Sequence, residues 1–231
     1  MNSPTHGTGD PSTGLGELDI SRDLVIVVHG LGANRLVMTP LCSRLSKHVG
    51  RVINWGYSSL WRPVERPASE LVALLHTLKP ADYPHVHLVT HSMGGIVARL
   101  AIREFRPENL GRFVMTAPPN GGSHVATRMA SILGRVVPPV LQLRDAADSF
   151  VRSLPPPEGV EVGIIAAHRD ALIARGNTQF PCEVNCEHIE LPGRHSSLVW
   201  RPETAAAVVR FLKAGRFFPE QNGSLDSGVR A

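Results

Sequence analysis

Ser92 is the residue around which chemistry can be built. It stands in Thr90-His-Ser-Met-Gly-Gly95, between an apolar run (86–90) that reads as a strand and a helical pattern opening at Ile96-Val-Ala-Arg-Leu100. A serine at such a strand-to-helix corner fits the G-x-S-x-G pattern, with Thr90 in the place of the first glycine. A hydroxyl attacks poorly until a neighbouring base takes its proton, and that base needs an acid to hold its tautomer. In this arrangement the partners follow in chain order as acid, then histidine. His195, in the loop Leu191-Pro-Gly-Arg-His-Ser-Ser-Leu198, meets the second requirement better than His124, His168 or His188. For the acid, Asp170 follows the apolar run 160–167 within a few residues. Asp145, Asp148, Glu183, Glu187 and Glu190 are the other candidates.

Acyl chemistry also requires N–H donors aimed at the developing oxyanion. Met93, the residue after the serine, supplies one backbone N–H at the start of a helix, where the dipole favours negative charge. Leu31, between Gly30 and Gly32 in the loop after the first apolar run, is the expected second donor. His29 braces that loop or borders the substrate pocket. Trp55, Tyr57 and Trp61, in and after the second strand, are further candidates for pocket walls, as are Met129 and Leu133 downstream.

The elements that must position these residues alternate strictly. Asp23–His29 is a continuous apolar run, as in a strand buried on both faces. A helix pattern covers 36–49, a strand Arg51–Trp55, a helix 68–78, the serine strand, a helix 93–105 and a strand at 112–116. Strands at 160–167 and 186–191 follow, then a helix opened by Pro202 and stopped by Gly215. This predicts an α/β fold with a doubly wound, mostly parallel sheet of about six to seven strands. Its sites lie at the carboxyl ends of the strands, where His29-Gly30, Ser92 and Ala117-Pro118 fall. Between 118 and 159 the rhythm breaks into helical patterns. These are either an excursion packed on the sheet or a cap offering apolar surface to an acyl chain. A leader at 1–20, one domain at 21–216 and a polar tail at 217–231 complete the expected organisation.

Four segments together resemble the bacterial lipase/esterase branch of the α/β-hydrolase superfamily. They are Val27-Val-His-Gly-Leu-Gly32, the serine segment, Ala117-Pro-Pro-Asn-Gly-Gly-Ser123 and Pro192-Gly-Arg-His-Ser-Ser-Leu198. The resemblance spans roughly residues 23–213. It implies hydrolysis of a carboxylic ester through an acyl-enzyme, with no cofactor, on a small-molecule or lipid ester. The acid loop His168-Arg-Asp-Ala-Leu172 departs from that branch in lacking Asp-Gly. The same residues would also serve acyl transfer, amide or thioester cleavage, and the fold alone would serve a binding module.

Composition narrows the rest. The formal charge of +4 is modest and the basic residues are dispersed. That leaves no nucleic-acid footprint, only a weak attraction to anionic surfaces or a lipid interface. No apolar run is long enough for a membrane span, and a cytoplasmic location is the default reading. Cys42, Cys182 and Cys186 form no disulfide framework. Cys182-x₃-Cys186-x-His188 lacks a fourth ligand, so no metal is expected there. His85 and His87, two apart on one strand, read as solvated positions at its start.

Overall fold

The computed structural model describes residues 15–79, 81–180 and 186–218. The leader before residue 15, the tail beyond residue 218, and Cys182 and Glu183 lie outside them. The fold is a six-stranded parallel sheet in the order β2-β1-β3-β4-β5-β6. These strands are β1 (Leu24–Val28), β2 (Arg51–Trp55), β3 (Val86–His91), β4 (Leu110–Thr116), β5 (Val162–Ala167) and β6 (Glu187–Leu191). The order reverses at β1, as right-handed crossovers on both faces of a doubly wound sheet require.

Every residue of β1, β3, β4 and β5 is buried, which explains why β1 and β5 read as unbroken apolar runs. In β1, Leu24, Ile26 and Val28 enter the core on one face of the sheet. Val25 and Val27 enter the core on the other. The helices α2 (Glu65–Thr77) and α3 (Met93–Glu104) complete the first core, and α1 (Thr39–Leu45) and α7 (Pro202–Ala214) the second. α7 carries proline in its first turn and ends on Gly215 in the left-handed conformation, φ +71°. The helix pattern read over 36–49 divides into a 3-10 turn at Arg35–Met38 and α1.

The domain extends past the boundaries expected at residues 20 and 217. Leu18 N–H donates to the Lys213 carbonyl at 2.7 Å, Ile20 is fully buried, and Phe217 packs against Phe211. The region after β4 forms α4 (His124–Leu133), α5 (Pro138–Gln142) and α6 (Phe150–Ser153). It is tied to the sheet by Arg99 of α3, whose guanidinium donates to Asn120 Oδ1 at 3.0 Å and to the Leu154 and Pro155 carbonyls. Among the described residues no helix is long and apolar enough to cross a membrane.

Candidate active site

Ser92 joins β3 to α3 with φ +52° and ψ −128°, a backbone conformation that is costly for any residue with a Cβ. Surrounding contacts hold it there. Its N–H donates to the Thr116 carbonyl at the end of β4 (2.9 Å), and its carbonyl accepts from Gly95 N–H (2.9 Å). The turn is tight enough to dictate two glycines. A Cβ on Gly94 would sit 2.5 Å from the His29 carbonyl oxygen, and one on Gly30 would sit 2.9 Å from Ser92 Cβ.

The loops after β5 and β6 are zipped together, His168 N–H to Leu191 O and Arg169 N–H to Gly193 O. The zipper brings Asp170 to His195. Asp170 divides its carboxylate: Oδ1 accepts from Leu172 N–H (2.8 Å) and Ile173 N–H (2.9 Å), and Oδ2 meets His195 Nδ1 at 2.7 Å. Burial alone would raise the Asp170 pKa. The hydrogen bond and charge of His195, with the two loop N–H groups, outweigh it and hold the carboxyl below its usual range. Of the other candidate acids, Glu190 pairs with Arg175 at 2.8 Å, Asp148 with Arg144 at 3.6 Å, and Asp145 bonds Thr127.

Ser92 and His195 both line a cavity of about 550 Å³ at the carboxyl ends of the strands. Its walls include Gly30 and Leu31 from the loop after β1, and Val125, Met129, Leu133, Val140 and Leu143 from α4 and α5 and the residue after α5. The 118–159 region therefore walls the site. Met129 and Leu133 line this cavity.

His29, Trp55, Tyr57 and Trp61 are not in the cavity wall, which corrects that expectation. Tyr57 stacks on His29 (centroids 4.4 Å apart) and Trp55 on Tyr57 (5.0 Å), while Trp61 is exposed. The stack braces the loop after β1. Tyr57 hydroxyl donates to the His29 carbonyl at 2.8 Å, and Tyr57 N–H meets His29 Nε2 at 3.4 Å. Because Nε2 accepts, the ring proton sits on Nδ1, which donates to the Gly30 carbonyl at 3.0 Å. Burial lowers the His29 pKa, which favours the neutral ring.

His91 was not singled out from the sequence, yet its ring lies 4.8 Å from that of His195 and lines the cavity. Thr116 Oγ1 donates to the Thr90 carbonyl (2.9 Å) and so accepts from His91 Nδ1–H (3.2 Å). Burial, then the neighbouring His195, push the His91 pKa down to about 3. Val37, Leu172, Ile173 and Trp200 are further walls that carried no distinguishing signal in the sequence.

His85 and His87 correct another expectation. At the opposite end of the sheet, His87 is fully buried and meets the buried Asp23 Oδ2 at 3.0 Å, and His85 lies 3.3 Å from the same carboxylate. The three donor atoms are close enough to surround a cation. However, Arg112 N–H donates to His87 Nδ1 at 2.8 Å, which leaves the ring proton on Nε2, toward Asp23. A cation would have to displace that proton.

No family model matches the chain, and no curated protein matches its sequence. Solved structures do match. The mature form of Bacillus licheniformis lipase BlEst2 superposes with a TM-score of 0.67 at 15% identity, over 87% of this chain and 94% of that one. This chain has the α/β-hydrolase fold. The Paleococcus ferrophilus monoacylglycerol lipase matches with a TM-score of 0.60 at 18% identity, over 83% of this chain and 94% of that one. Phospholipase PlaB from Legionella pneumophila matches with 0.64 at 16%, over 84% of this chain and 60% of that one.

Proposed function

We propose that the protein hydrolyses carboxylic esters with an apolar acyl group, with Ser92 as nucleophile, His195 as base and Asp170 as the acid that orients it. The observation carrying this reading is the 2.7 Å contact of His195 Nδ1 with a carboxylate already committed through its other oxygen to two loop N–H groups. That contact leaves Nε2 unprotonated to accept a proton. Ser92 Oγ attacks the ester carbonyl as its proton passes to His195 Nε2. The tetrahedral intermediate collapses, and His195 returns the proton to the departing alcohol. Water, deprotonated by His195, then releases the acid from Ser92. The lipases and the phospholipase among the structural neighbours support a lipid ester as substrate, as does the apolar wall of the cavity. A fluorophosphonate probe should label the wild type stoichiometrically and Ser92→Ala not at all. A folded wild type that takes no label would sink the proposal.

Met93 and Leu31 are the proposed oxyanion donors, and His29 is a positioning residue for the second. The carbonyl and N–H of a trans peptide point opposite ways. By drawing the Gly30 carbonyl to itself, His29 Nδ1–H turns Leu31 N–H the other way, and Gly30 is packed against Ser92. His29→Phe keeps the stack on Tyr57 and deletes both ring hydrogen bonds. It should lower kcat by about 10²-fold, the scale of losing one oxyanion donor, with KM nearly unchanged. A role confined to packing would instead lower the melting temperature and spare kcat.

A further inference from the structure

Several large exposed apolar side chains lie on or beside the elements that wall the cavity. α4 carries one apolar stripe. Its first half, Val125 and Met129, walls the cavity, and its continuation, Ile132, is 71% exposed. Val136, just past the helix, is 58% exposed. Leu141 is also exposed and lies over the end of α4, where a Cβ on Gly134 would meet its side chain at 2.5 Å. Trp200 also lines the cavity and is 52% exposed. A contiguous apolar patch at the rim of a pocket marks a surface that is covered in use.

Charge identifies the cover. Residues 119–154 hold four arginines and two aspartates. The aspartates are occupied, Asp148 by Arg144 and Asp145 by Thr127. Arg128, one helical turn before Ile132, and Arg135 are exposed, and neither has an ion pair or hydrogen-bond partner among the described residues. Exposed aliphatic side chains and a tryptophan, flanked by unpaired arginines, match the boundary of an anionic bilayer. The aliphatic groups enter the acyl region and the guanidiniums meet the phosphates. A second copy of this chain would present the same positive charge to itself.

We infer that the face formed by Ile132, Val136, Leu141 and Trp200, with Arg128 and Arg135, docks on an anionic lipid surface. An acyl ester then passes from the bilayer along the α4 stripe to Ser92. The passage to Ser92 rests on the ester-hydrolase reading, whereas the docking stands independently of it.

The test uses the full chain carrying Ser92→Ala, which leaves the vesicles intact. It should co-sediment with vesicles of equal parts phosphatidylglycerol and phosphatidylcholine, and far less with phosphatidylcholine alone. Arg128→Gln with Arg135→Gln should weaken that binding roughly five-fold per arginine. Ile132→Asp with Val136→Asp should reduce it by about ten-fold or more. In an otherwise wild-type background, the latter pair should cleave water-soluble p-nitrophenyl acetate at the unmodified rate, which shows that the variant folds. Equal binding to both vesicle types, no binding to either, or unchanged binding of the Asp variants would overturn the proposal. So would a dimer that these variants dissolve while vesicles go unbound, since that gives the face to a second copy. Vesicle binding by a wild type that cleaves no ester would retire the hydrolase reading and leave the docking in place.

Discussion

Asp170→Asn is expected to lower kcat by about 10⁴-fold with KM changed little, the size of loss known for the equivalent change in a serine protease. The local geometry gives the reason. The side-chain position now held by Oδ1 receives the N–H groups of Leu172 and Ile173, so an asparagine must keep its oxygen there. Its amide NH₂ then faces His195 Nδ1. A donor at that point forces Nδ1 to accept and places the ring proton on Nε2, the atom that has to receive the Ser92 proton. The imidazolium formed during attack also loses its carboxylate partner. The loop should survive, because the substituted side chain still accepts both loop N–H groups, and the melting temperature should hold within a few degrees. Steady-state kinetics on a p-nitrophenyl ester check the first point and thermal denaturation the second. A fall of less than ten-fold in a stable variant would remove Asp170 from the mechanism.

Those two loop bonds also show what the sequence could and could not disclose. β1 and β5 were legible because burial on both faces writes an unbroken apolar run. The serine corner was legible because the close approach of α3 to β1 admits only glycine at residue 94. Asp170 was harder to separate from Asp145 and the glutamates. What distinguishes it is the pairing of the loops after β5 and β6, a contact between segments some 25 residues apart in the chain.

The misplacements share that cause. Nothing near His87 announces that Asp23, 64 positions away, is buried beside it, so two histidines on a strand read as solvated. Tyr57 and Trp55 looked like pocket walls from their place after β2. Their partner is instead the ring of His29, 28 positions earlier than Tyr57. His91 stood next to the serine and still gave no sign, because its role comes from contact with His195 on another loop.

These buried histidines carry the second large expectation, a steep loss of stability in acid. His29, His87 and His91 are all at least 96% buried, and burial is the largest influence lowering each pKa below the ordinary 6.5. Each is committed to the neutral form by a bond that a second ring proton would break or crowd. Nε2 of His29 accepts from Tyr57 N–H, Nδ1 of His87 accepts from Arg112 N–H, and His91 lies against His195. The unfolded chain takes up these protons as the pH falls through about 6.5, and the folded chain only at lower pH. A folded pKa below the unfolded one means stability is complete above that pH and declines beneath it. Each such group contributes a slope of at most about 1.4 kcal/mol per pH unit, and only between its folded and unfolded pKa values; for His91 that interval runs from 6.5 down to about 3. Against a typical stability of about 5–15 kcal/mol, the loss below pH 6.5 should be a measurable fraction of the whole. The lowered pKa of Asp170 acts in the same direction, since its carboxylate is more stable folded than unfolded and that advantage is lost as the pH falls. Urea unfolding from pH 8 down to pH 4 reads the slope. His91→Asn, whose amide N–H replaces Nδ1–H toward Thr116, should flatten it by up to about 1.4 kcal/mol per pH unit. A midpoint that stays constant between pH 8 and pH 5 would mean that these rings accept protons without unfolding the chain.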